Sequence, residues 1–130
     1  MPGNNSVLIE QFADSHFVKT FAKKHKQHWD VTLDAIVAGL ERIDTLLATD
    51  KATMICDIDG IQIIKTEFRV VGTQESAKTS GNRCIVAWHV EKQQVSVLLV
   101  YGKTDITARG ETAAWKKLVK DNYPEYKHLL

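Results

Sequence analysis

Near residue 50 the spacing of the apolar residues changes, and no single kind of element can carry the chain across that point. Before it, Leu33, Ile36, Val37, Leu40, Ile43 and Leu47 follow the three-and-four spacing that keeps one face of a helix apolar. After it the period drops to two, in short apolar runs separated by turn residues. A helix over about 29–48 is therefore expected. Strands are expected over 53–58, 61–71, 83–90 and 95–102, with Asp59-Gly60 and the run 91–94 as turns and 72–82 as a polar loop. Upstream, 6–12 can open as a short strand, and Ser15 is placed to cap a helix carrying Phe17, Val18, Phe21 and Ala22 on one face. A last helix over 111–121 stops before Pro124. The order implies an α+β domain: an antiparallel twisted sheet of about four to five strands, two N-terminal helices and a short C-terminal helix, with the helices collected on one side.

At 130 residues with 44% apolar and 25% charged residues, the chain is read as one globular domain, 1–130. No run approaches the roughly 18 apolar residues of a membrane span, and the first residues lack the basic-then-apolar order of a secretory signal. A cytoplasmic protein with no membrane partner is expected, with Cys56 and Cys84 as reduced core residues. His16, His25 and His28 lack the Cys or acidic companions of a metal site. Neither a glycine-rich phosphate loop nor a serine nucleophile elbow is present, so no cofactor or metal is expected. Trp29, Trp88 and Trp115 fall at packing positions.

Charge is unevenly spread beneath a net of +1: residues 30–59 sum to −5 and residues 60–104 to +3. Alternation along the strands groups the polar side chains. It places Lys65, Glu67, Arg69, Arg83, His89, Tyr101 and Lys103 together on the sheet face away from the helices. A solvated face is the ordinary explanation of such a set. Four fixed cations with one carboxylate would nevertheless repel one another without an anion between them, and Arg83 and Lys103 lie beside Gly81 and Gly102, where backbone can approach a ligand closely.

The helical pair, the basic strand "KTEFR", the loop "AKTSGNR" entering "CIVAW", and the closing "LLVYGK" before a helix resemble the RelE/ParE superfamily of bacterial toxins. Within it the likeness is to the RelE- and HigB-like mRNA interferases of type II toxin-antitoxin systems, over about residues 7–121. The resemblance implies a RelE-like fold and a ribosome-dependent endoribonuclease, with mRNA on the ribosome and a cognate antitoxin protein as partners. In that chemistry a ribose 2′-hydroxyl attacks the neighbouring phosphate. By position Arg83 matches the phosphate-binding arginine, and Lys65 and Arg69 match the basic strand. Lys65 is either the base or a phosphate ligand, and Glu67 is the rival base. On the same resemblance Tyr101 would stack on a base or hydrogen-bond the reacting group, and Lys103, with Arg69 and His89, would bind RNA or its phosphate. Thr104 and Gly110-Glu111 stand where some members carry an arginine and a catalytic tyrosine. The alternatives are a ParE-like gyrase-inhibiting toxin, and a catalytically inactive RelE-fold binding module.

Overall fold

The computed structural model describes residues 4–74, 76–102, 105–106 and 109–130. The helices are α1 (Gln11–Ala13), α2 (Lys19–Lys24), α3 (Trp29–Glu41), α4 (Ile43–Leu47) and α5 (Glu111–Asn122). The strands are β1 (Ser6–Ile9), β2 (Ala52–Ile58), β3 (Ile61–Glu67), β4 (Arg83–His89) and β5 (Gln94–Tyr101). A 3-10 helix over Pro124–Leu129 follows α5. Together they make an α+β fold around one five-stranded sheet in the order β1-β5-β4-β3-β2.

The expected N-terminal helix begins earlier than Ser15. A π-helical segment, Asp14–Val18, joins α1 to α2, and Ser15 lies inside it rather than capping it. The wider π turn brings Ala13 and Val18, five residues apart, into the same core as Phe21. The long apolar helix is also broken, at Arg42. The Glu41 carbonyl accepts hydrogen bonds from the Asn5 backbone N–H at 2.8 Å and from Asn5 Nδ2 at 3.2 Å, and this ties β1 to the end of α3. The Asn5 Oδ1 in turn accepts from Trp88 Nε1 at 3.0 Å, so one buried side chain links β1, α3 and β4.

Two expectations about the sheet fail. It is mixed, not antiparallel: β1 runs parallel to β5, pairing Ser6 with Gln94 through Ile9 with Val97. Nor do the helices share one side. Val18, Phe21, Trp29, Leu40 and Ile43 cover one face, against Ile64, Val86, Val95, Val97 and Val100. Trp115, Val119, Tyr123, Tyr126 and Leu129 cover the other, against Ile63, Ile85, Ala87, Leu99 and Tyr101. The middle of that second face is apolar, so leaving it in water would forgo several side chains' worth of burial, about 1.5–3 kcal/mol each. α5 and the 3-10 helix supply the cover.

A bulge explains why strict alternation misgroups β5. Ile85 pairs with Leu99 but Val86 pairs with Val97, so Leu98 is an extra residue on β5. Val95 and Val97 therefore face α3, whereas Leu99 and Tyr101 face α5. The Leu98 carbonyl accepts a hydrogen bond from the Tyr123 hydroxyl at 2.7 Å, which fixes the bulge to the segment that follows α5.

Candidate active site

β3 ends at Glu67, four residues short of the expected strand, and that end aligns three polar residues. Glu67 pairs with Arg83 across β3 and β4, and Arg83 pairs with Tyr101 across β4 and β5. Directly opposite residues share a face, so a carboxylate, a guanidinium and a phenol form one row on the α5 side. Lys65, two residues before Glu67, lies on the same face. Glu111, the first residue of α5, comes down onto the row. The expected grouping of Lys65, Glu67, Arg83 and Tyr101 thus holds in space, but beneath a helix and not on an open face.

The contacts among these five define the site. Tyr101 donates its hydroxyl proton to Glu111 Oε2 at 2.6 Å, and Lys65 Nζ lies 3.6 Å from the same oxygen. Arg83 Nη2 lies 3.9 Å from Glu67 Oε1, a Coulombic pair too long for a hydrogen bond. The side chains of Lys65, Glu67, Arg83 and Glu111 are only 24, 17, 12 and 18% exposed, and Tyr101 is wholly buried. Two cations and two carboxylates therefore neutralise each other inside a largely desolvated patch. Burial, together with the hydrogen bond and negative charge of Glu111, pushes the Tyr101 phenol well above its ordinary range. It stays a proton donor at any physiological pH.

Arg83 is also the clamp of the loop before β4. Its Nη1 donates to the carbonyls of Ala77 at 3.2 Å and Asn82 at 2.9 Å, and its Nη2 donates to that of Lys78 at 3.0 Å. Ser80 closes the same loop from the opposite direction, donating its hydroxyl to the Phe68 and Ala77 carbonyls and accepting from the Asn82 N–H. Of the five guanidinium protons, three are taken. Nε is buried with no hydrogen-bond partner among the described residues, and so is Glu67 Oε2. An unfilled donor and an unfilled acceptor thus lie on facing residues of the row.

Three of the expected site residues are elsewhere or undescribed. Arg69 lies past the end of β3 and, with Thr32, Ile36 and Leu46, lines a groove against α3, on the other side of the sheet. His89 is at the opposite end of β4 from Arg83, about 20 Å along the strand. There its Nε2 and the Tyr126 hydroxyl share a hydrogen bond of 2.8 Å. Burial and the nearby Lys92 lower the His89 pKa, with Glu10 opposing. Lys103 falls outside the described residues, as does Thr104. Glu111 is the residue that strand reasoning missed. A carboxylate at a helix start has an ordinary explanation in the helix dipole, and nothing in the sequence spacing carries it to β3 and β5.

A cleft of about 120 Å³ opens on the α2 side of the same strand ends, lined by Phe21, Lys24, His25, Ser80, Asn82 and Asp105 among others. Gly102 borders it, and a side chain there would press on Asn82 Oδ1 at 3.0 Å. No cluster of three metal-ligating side chains occurs among the described residues, and no helix among them is long and apolar enough to cross a membrane. No family model, curated protein or solved structure matches the chain.

Proposed function

We propose that the chain is a RelE-like toxin whose Glu67–Arg83–Tyr101 row cleaves RNA by attack of a ribose 2′-hydroxyl on the adjacent phosphate, on ribosome-bound mRNA. The observation that carries this reading is the unfilled pair within the row, Arg83 Nε and Glu67 Oε2. A phosphodiester seated there would offer an oxygen to the guanidinium and its neighbouring 2′-hydroxyl to the carboxylate. The 2′-oxygen forms the new bond to phosphorus while the bond to the 5′-oxygen breaks. Glu67 takes the 2′ proton, and the leaving 5′-oxygen takes one from Tyr101, directly or through water. A 2′,3′-cyclic phosphate and a 5′-hydroxyl result. Lys65 offsets the charge that develops on the phosphoryl oxygens. Between the rival bases Glu67 is favoured, because its second oxygen has no hydrogen-bond partner among the described residues while the Lys65 ammonium sits against Glu111.

The cognate antitoxin and the cytoplasmic location belong to the same proposal. A second reading, a RelE-like fold that binds a partner without cutting RNA, is favoured by the complete burial of Tyr101 beneath α5. The discriminating experiment maps 5′ ends on a reporter mRNA in a purified translation system, with and without ribosomes. Wild type is compared with Glu67→Gln and Tyr101→Phe, each first shown to be folded. Ribosome-dependent cuts lost in both variants support the nuclease. Absence of cuts from folded wild-type protein refutes it and leaves the binding module.

A further inference from the structure

The Glu111 carboxylate makes two contacts of the kind that an oxyanion makes. One of its oxygens, Oε2, receives both the Tyr101 hydroxyl and the approach of Lys65 Nζ, at 2.6 and 3.6 Å. A phenol donor and an ammonium converging on a single oxygen is what a phosphoryl oxygen requires. Among the described residues, the cluster of Lys65, Arg83, Glu67 and Glu111 is neutral with Glu111 and net positive without it.

The attachment of Glu111 is suited to release. It begins α5 immediately after Gly110, which has φ +75° and nothing within 4 Å of where a side chain would start. Thr112, Ala113 and Ala114 are exposed, whereas Trp115 and Val119, one and two turns on, are wholly buried. The first turn carries the Glu111 contacts and the bond from the Ala114 N–H to the Gly110 carbonyl at 3.0 Å. Unwinding that turn would free Lys65 and Tyr101 and leave the core packing of α5 intact. Resting on the nuclease reading, we propose that Glu111 is an intramolecular stand-in for an RNA phosphate: the first turn of α5 is a latch that RNA displaces.

The ligand and the latch then compete for one seat, so neutralising Glu111 must tighten RNA binding. The probe is a 2′-O-methyl RNA hexamer, which keeps the phosphates and lacks the attacking hydroxyl. Its affinity is measured for wild type, for Glu111→Gln and for Asp121→Asn. The first variant preserves an acceptor for Tyr101 and removes only the charge. The second makes the same change of net charge at the far, exposed end of α5, where Asp121 pairs with Lys117. The expected result is a gain on the order of tenfold for Glu111→Gln, within the usual range of couplings between sites, with little gain for Asp121→Asn. Hexamer binding should also speed hydrogen exchange at the Ala114 amide in wild type while Val119 stays protected. Equal gains in the two variants, no gain in Glu111→Gln, no binding by any variant, or unchanged exchange at Ala114 would each overturn the latch. Cleavage of ordinary RNA is scored separately. A latch that operates in a protein that never cuts sinks the nuclease alone, and cutting with no response to Glu111→Gln sinks the latch alone.

Discussion

Arg83→Ala should destabilise the protein severely, which an arginine on an open sheet face would not do. The substitution removes three guanidinium bonds to the carbonyls of Ala77, Lys78 and Asn82, at 3.2, 3.0 and 2.9 Å. It also leaves the Glu67 carboxylate, 17% exposed, without its cation. Hydrogen bonds from a charged group are worth about 1.5–3 kcal/mol each in mutational series, though not additively, and the exposed Lys78 carbonyl recovers water. Breaking a buried ion pair from one side costs about 3–5 kcal/mol, and here the 3.9 Å separation and partial exposure bring it below that range, to about 1–2 kcal/mol. A loss of about 3 kcal/mol is the resulting expectation, or a fall in Tm of roughly 10–15 °C for a domain of this size. Urea titration followed by circular dichroism measures it. Repeating the change in a Glu67→Gln background should return about 1–2 kcal/mol, because the stranded charge is then absent. Arg83→Lys should fall between, keeping the charge and losing the fork. A loss below about 0.5 kcal/mol for Arg83→Ala, or an identical loss in the Glu67→Gln background, would refute the clamp-and-pair account. The design also governs any activity assay: inactivity of Arg83→Ala says nothing about catalysis until folding has been measured.

Tyr101→Phe removes the 2.6 Å donor to Glu111 and should cost about 1.5–3 kcal/mol, read by the same urea titration; no loss would show that the phenol is dispensable to the packing. Gly72→Ala should destabilise by about 1 kcal/mol or more, since Gly72 has φ +91° and a methyl there would sit 2.9 Å from His28 Nε2; neutrality in thermal melts would contradict that geometry. Burial and Lys92 hold the His89 pKa below its usual 6.5, so the unfolded chain binds the proton more readily. The His89 contribution is thus complete above pH 6.5 and is lost as pH falls through the lowered folded value. Stability curves of wild type and His89→Gln should converge toward acid pH, and parallel curves would refute the assignment. The Cys84 thiol, wholly buried and pushed up to about 12, should resist an aromatic disulfide reagent until the protein unfolds, while Cys56 reacts sooner; prompt reaction of both would mean that the β4 core opens readily.

Much of the fold was written locally. The three-and-four spacing of Leu33, Ile36, Leu40 and Ile43 requires a helix with a buried face, and it survives the break at Arg42 because the residues on both sides still face the same core. The four downstream strands, the Asp59-Gly60 turn and the C-terminal helix likewise follow from short-range periodicity and turn chemistry. The alternation of β3 and β4 was enough to bring Lys65, Glu67 and Arg83 onto one face, since register period and side-chain period coincide there.

What local pattern could not decide were the events that depend on contact across the sequence. β1 joins β5 in parallel, 88 residues away in register, and nothing in either segment encodes that choice of edge. The bulge at Leu98 turns Val95 and Val97 away from Leu99 and Tyr101, and it is held by the hydroxyl of Tyr123 from beyond α5. A one-residue insertion reverses every later assignment of faces, so strict alternation fails beyond it. The placement of α5 mattered most for the candidate site. Its amphipathic pattern calls for an apolar surface to cover but does not say which. Only the tertiary structure lays it over Ile63, Ile85 and Leu99, which buries Tyr101 and sets Glu111 on Lys65. The sequence alone thus placed Lys65, Glu67 and Arg83 on one face of the sheet. Packing decided that α5 covers that face and sets the Glu111 carboxylate on Lys65 and Tyr101, because the middle of the face is apolar and needs a cover.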